Sequence, residues 1–118
     1  MKTIIAGDRD FYDYQTLRTE VYRVMQTKYK ITEIVCGKAR GADTMGEFFG
    51  EEMGIPVKEF PAKWDKYGKG AGPIRNKEMA DYADALIAFL GPNSIGTANM
   101  IKQARAQGLN VTVIDVSV

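Results

Sequence analysis

Residues 33–56, EIVCGKARGADTMGEFFGEEMGIP, read as one complete strand-to-helix unit. The apolar run 33–36 stops at Gly37, as a short buried strand does. Asp43 then stands where a helix cap is wanted, and Met45, Phe48, Phe49 and Met53 follow at helical spacing. Gly54 and Pro56 supply a full stop signal. The same grammar recurs outward from this unit. Residues 3–6 end at Gly7 and residues 85–90 end at Gly91, while 56–60 and 111–116 complete a set of five predicted strands. Leu17, Val21, Val24 and Met25 mark an amphipathic first helix, with Arg18, Glu20 and Arg23 on its other faces. A third helix is expected from near Asn76 toward Tyr82. A fourth is expected from near Thr97 to Gly108, burying Ile101 and Ala104.

Strict βα alternation predicts an α/β domain with an open five-stranded parallel sheet and helices on both faces, because right-handed crossovers return each helix to the sheet. The expected strand order is 3-2-1-4-5, in a single domain over residues 1–118. The order reverses between strands one and four, and ligands bind beyond the carboxyl ends of strands at such a switch. The loops after Ala6 and Leu90 are therefore the first places to look for a site.

Composition narrows the chemistry. A 118-residue chain with 45% hydrophobic and 26% charged residues suits one soluble domain. No apolar run approaches the ~20 residues that span a bilayer. Lys2 leads directly into the first strand with no secretory signal, so no membrane role and a cytoplasmic address are expected. The absence of histidine closes Ser-His and Cys-His nucleophile pairs and histidine metal sites. Cys36 is the only cysteine, which excludes an internal disulfide or a multi-cysteine zinc site and reads best as a small core residue. No metal and no cofactor is called for. A net charge of +1 argues against nucleic acid as a partner.

The cations nonetheless gather on one edge. The strand-end loops are Gly7-Asp8-Arg9-Asp10, Gly37-Lys38-Ala39-Arg40-Gly41-Ala42-Asp43, the long segment 60–79 (FPAKWDKYGKGAGPIRNKEM), and 91–97, GPNSIGT. Ahead of the expected third helix they hold Arg9, Lys38, Arg40, Lys63, Lys66, Lys69 and Arg75, seven of the sixteen basic residues. Segment 60–79 reads as a glycine-rich anion-binding loop, in which Gly68, Gly70 and Gly72 permit close approach of the backbone. Amides at the starts of the second and fourth helices, with the Thr97 hydroxyl, suit phosphate. Each lysine taken singly suits a solvated surface, and Trp64 and Tyr67 either pack the loop or stack on a base. Arg75, beside glycines at a helix mouth, is the strongest candidate contact. Neither a Walker A sequence nor a dinucleotide fingerprint is present, so the residues alone lead to a phosphate-bearing ligand at the switch point.

Gly7-Asp8-Arg9, the 37–43 loop, Phe60-Pro61-Ala62-Lys63-Trp64, Gly72-Pro73-Ile74-Arg75-Asn76-Lys77-Glu78-Met79 and Gly96-Thr97 together resemble the YspA-like, cpYpsA-related group of the SLOG superfamily over nearly the whole chain. The resemblance implies a Rossmann-like three-layer sandwich that binds nucleotides or nucleotide-derived ligands as a sensor or processing domain. It implies a ligand site drawn from Gly7, Asp8, Arg9, Gly37, Lys38, Arg40, Gly41, Asp43, Trp64, Gly72, Arg75, Asn76, Gly96 and Thr97. Arg9 and Arg75 would pair phosphate, Gly96 and Thr97 would donate to it, and Asp43 would meet a ribose hydroxyl.

The 75–79 segment and Gly96-Thr97 are also similar to the LOG phosphoribohydrolases, which cleave the N-glycosidic bond of nucleoside monophosphates. That similarity makes Arg75 and Glu78, or Asp8, candidate catalytic residues. Those enzymes carry a glutamate three residues after the threonine, where this chain has Met100, whose thioether cannot move a proton. Three readings follow: a nucleotide-binding domain, a nucleotide N-glycosidase, and a protein-interaction module. Adjacent Phe48 and Phe49 make an apolar surface wide enough to suggest a homodimer.

Overall fold

The computed structural model describes residues 1–92 and 94–116; Asn93, inside the expected fourth loop, lies outside them. The elements run β1 (Lys2–Gly7), α1 (Tyr14–Thr27), β2 (Glu33–Cys36), α2 (Ala42–Met53), β3 (Val57–Glu59), α3 (Trp64–Tyr67), a 3₁₀ turn (Gly68–Gly70), α4 (Ala71–Tyr82), β4 (Ala85–Leu90), α5 (Ile95–Ala106) and β5 (Asn110–Asp115). All five strands pair in parallel in the order β3-β2-β1-β4-β5. That is the α/β sheet and the strand order that the sequence predicts.

Side-chain alternation along the strands divides the core into two layers. Ile4, Ala6, Val35, Leu86 and Ala88 face α4 and α5, where they meet Met79, Ala80, Met100, Ile101 and Ala104. Ile5, Ile34, Ile87 and Phe89 face α1 and α2, against Leu17, Val21, Val24, Met45 and Phe49. The chain crosses outward twice on the second face and returns on the first. Every strand therefore ends at the same rim. Cys36 is fully buried, as expected, and burial and the neighbouring Glu47 carboxylate push its thiol far up. It is a core side chain and no nucleophile. Among the described residues no helix is long and apolar enough to cross a membrane.

Segment 60–79 differs most from expectation. It is not one long loop before a helix at Asn76: it folds into α3, the 3₁₀ turn and a helix that already starts at Ala71. Pro73 falls at the third helical position, where no intrahelical N–H is required, and fully buried Ala71 anchors the first turn. The α2 start is also corrected. Gly41 is its N-cap, and Asp43, one position inside the helix, turns its carboxylate back onto the preceding loop. Gly54 stops α2 in the left-handed conformation, as its sequence signals. Smaller shifts affect α5, which starts at Ile95 rather than near Thr97, and β3, which lacks Pro56 because proline has no ladder donor.

The paired phenylalanines of α2 separate cleanly. Phe49 is fully buried, whereas Phe48 is 53% exposed and sits edge-on to Tyr14. Phe49→Ala is expected to cost about 3–5 kcal/mol by cavity formation, and Phe48→Ala about 1 kcal/mol from its lost ring contact. Urea denaturation of the two variants distinguishes these outcomes.

Candidate functional site

The rim over β1 and β4 is assembled by backbone contacts too close for ordinary side chains. Gly41 sits at φ +78°, and a Cβ there would lie 2.5 Å from the Asp8 carbonyl oxygen and 2.7 Å from that of Arg9. The β2–α2 loop thus lies directly on the β1–α1 loop. At Gly37, a Cβ would overlap the Arg75 guanidinium. Arg75 Nη1 donates to the Gly37 carbonyl, while the Gly37 N–H donates to Asp43 Oδ2 at 3.1 Å and the Ala39 N–H approaches the same oxygen at 3.4 Å.

Arg75 is held from its other side as well. Its Nε donates to Asn76 Oδ1 at 3.0 Å, and Asn76 Nδ2 donates to Asn99 Oδ1 at 3.0 Å and to the Gly96 carbonyl at 3.3 Å. Asn76 is buried, so α4, α5 and the β2–α2 loop are tied through one arginine. Burial depresses the Arg75 guanidinium, the Asp43 carboxylate opposes that shift, and the nearby positive charge of Arg9 adds to it. Among the described residues Arg9 has no ion-pair partner.

Two cavities open on this wall. One, of about 340 Å³, lies at the switch between β1 and β4; its lining includes Gly7, Asp8, Arg9, Asp43, Arg75, Asn76, Gly96 and Thr97. The other, of about 510 Å³, includes Gly37, Lys38, Arg40 and Trp64 and shares Arg9, Ala39 and Arg75 with the first. Among the described residues, the first three amides of α5 have no intrahelical acceptor by helix geometry, and Ser94, its N-cap, uses its hydroxyl on the Gly91 N–H at 2.9 Å. Buried Thr97 follows in the same turn. Asp8 is 6% exposed and accepts the Asp10 N–H at 2.8 Å.

Twelve of the residues named from sequence thus meet at the two cavities. Gly41 and Gly72 do not line them: Gly41 shapes the rim from behind, and Gly72 lies on the side of the Trp64 Cη2 edge. Glu78 is exposed on α4 outside both cavities, and Lys63, Lys66 and Lys69 lie outside them too. The carboxylates that do line the first cavity are Asp8 and Asp43. Sequence reasoning missed Ser94, Met79, Ala39 and Ile95, and took Met100 only as a missing glutamate, though it is a wall. Ser94, directly before a helix start, carried a usable signal.

The chain is a Rossmann-like α/β domain with Arg9 and Arg75 lining one cavity over the switch point of its parallel sheet. Residues 1–67 match the family described as YspA, cpYpsA-related SLOG. Gene 61 protein of Mycobacterium phage D29 is 31% identical over 120 residues, spanning 93% of each chain. The protein belongs to this SLOG family. Its fold is also that of DNA processing protein A from Streptococcus pneumoniae, at a TM-score of 0.74 and 19% identity over 99% of this chain; the chain spans about half (51%) of that structure.

Two outcomes follow from the clasp. Gly37→Ala displaces the Arg75 guanidinium and no backbone, so it should cost about 1.5–3 kcal/mol, the worth of one hydrogen bond to a charged group. Urea denaturation reads that loss, and adding Gly37→Ala to Arg75→Ala should cost little more. Burial raises the Asp43 carboxylate from 3.8 to about 6, against the pull of Arg75 and two amides. The folded state therefore binds a proton that the unfolded chain releases between about pH 4 and 6. Stability of the wild type relative to Asp43→Asn should fall as pH rises through that window and level off above it, as followed by denaturation midpoints.

Proposed function

We propose that this domain binds a nucleotide or nucleotide-derived ligand at the carboxyl edge of its sheet, as a sensor or processing module. One observation carries the reading: Arg75 is fixed on two sides, lies close enough to Arg9 to feel its charge, and shares two cavities with it. Two like charges held together without an intervening carboxylate ion pair suit an oxyanion between them. The α5 amides and the Thr97 hydroxyl would add donors, and Asp8 would accept from a ribose hydroxyl.

A second reading, N-glycosidic hydrolysis, has buried Asp8 in its favour. Against it, Glu78 is exposed outside both cavities, and Met100 lines the cavity where the similar hydrolases carry a glutamate. The earlier exclusion of nucleic acid rested on net charge alone. A fold neighbour named for DNA processing and a locally basic rim bring single-stranded DNA into the test.

Calorimetric titration with nucleoside monophosphates should show binding that falls about 10–100-fold in Arg75→Ala, the worth of a charge-assisted phosphate contact. Unchanged binding in that variant refutes the site. Chromatography of the same mixtures reads released base: release abolished in Asp8→Asn establishes the hydrolase, and no release leaves the binding domain.

A further inference from the structure

The two cavities differ in what they offer on either side of the arginine wall they share. Beyond that wall the first holds Asp8, the thioethers of Met79 and Met100, and Thr97 at the start of α5. The second runs from the cationic 37–40 loop to an apolar end formed by Pro61, Ala62 and Trp64. Neither far end adds a cationic side chain. The cations concentrate in the middle, and the two lobes favour a sugar or a planar ring.

The second cavity is the larger, and the first alone lies near the lower limit of about 300 Å³ for small-molecule sites. Lys38 is already drawn to Glu47 at 3.2 Å and Glu59 at 3.6 Å, so its charge is largely engaged. Arg40 meets only exposed Asp10, at 3.9 Å. Trp64 is 51% exposed, and its Cη2 edge lies on the side of Gly72, where the lack of a side chain leaves the ring room. The ring is therefore open to a partner.

Resting on the nucleotide reading above, we propose that the ligand is two-lobed: two nucleosides joined through a pyrophosphate, with the phosphates at Arg9 and Arg75, one nucleoside in the β1–β4 cavity and the second base stacked on Trp64. Mononucleotides would occupy only the first half. The second base would add stacking of the kind that every nucleobase offers an exposed indole.

The test is calorimetric titration with AMP, ATP, ADP-ribose, NAD, diadenosine pyrophosphate and a single-stranded oligothymidylate. NAD and diadenosine pyrophosphate should bind at least tenfold more tightly than AMP, with ADP-ribose, which lacks the second base, in between. Trp64→Ala should remove that tenfold gain, and Trp64→Phe should restore most of it; circular dichroism of both variants checks the fold. If the dinucleotides bind no better than AMP, or ATP matches them and Trp64→Ala changes nothing, the two-lobed ligand is refuted while nucleotide binding stands. Tighter binding of the oligonucleotide overturns it in favour of a strand groove. No binding by any member of the panel defeats both readings together.

Discussion

The rest of this structure hangs on the two hydrogen bonds made by the backbone of Gly37, one to Asp43 and one from Arg75. Both partners are charged, and hydrogen bonds to charged groups are worth about 1.5–3 kcal/mol each, where neutral ones contribute about half that. Burying either charge alone would be costly. Here the glycine peptide lies between them, accepting from one and donating to the other, so each charge is partly compensated without direct contact. The arrangement requires a residue with no side chain, because the guanidinium occupies the space a Cβ would take. Through Asn76 the same arginine reaches Gly96 and Asn99 on α5, on the opposite side of the switch point. One residue of β-strand terminus thus fixes the spacing between the two helix starts that bound the first cavity.

Strain accompanies this fixation. Lys38, next along the chain, is the single non-glycine residue at positive φ among the described residues, at 61°. An L-residue held there costs on the order of 1–3 kcal/mol and persists where its surroundings over-determine it. Its amine is drawn to Glu47 on α2 and Glu59 at the end of β3, which supplies that constraint. The loop is therefore set before any ligand arrives, and binding need not meet the entropy of ordering it.

The fold was legible because the central strands β1, β2 and β4 are short, largely buried runs that end at or just before a glycine, and α1 and α2 carry clear periodicity. The candidate site was legible to the extent that residue type suggests chemistry: arginine beside glycine suits an anion, and Arg9, Arg75 and Thr97 do share a cavity. Conformation was not legible where two local rules compete. Asp43 satisfies the cap pattern, but the free amides of the folded-back 37–39 segment offered its carboxylate better partners than the helix end. Glycines and a proline at 68–73 read as loop, yet a helix tolerates both in its first turn, where no backbone donor is lost. Glu78 is a catalytic candidate through the similarity of 75–79 to the LOG segment, but only tertiary packing decides which face of α4 meets the sheet: Met79 is buried there and Glu78 is exposed. Walls such as Met79 and Ala39 carry no chemical signature at all.

Electrostatics within the first cavity favour holding over cleaving. Hydrolysis of a glycosidic bond by the usual route uses two carboxylates, one to deliver a proton and one to stabilise or attack the sugar centre. Asp8 and Asp43 are the acids on this wall, but Asp43 Oδ2 is already committed to the Gly37 and Ala39 amides, and its ionised form also opposes the burial of Arg75. Moving a proton on and off Asp43 would disturb the bonds that position Arg75. Asp8 is left as the acid outside the clasp, in a cavity that it shares with two thioethers and a threonine. Its carboxylate could accept from a sugar hydroxyl, and chemistry there would have to run through Asp8 with a proton source brought by the ligand or by water.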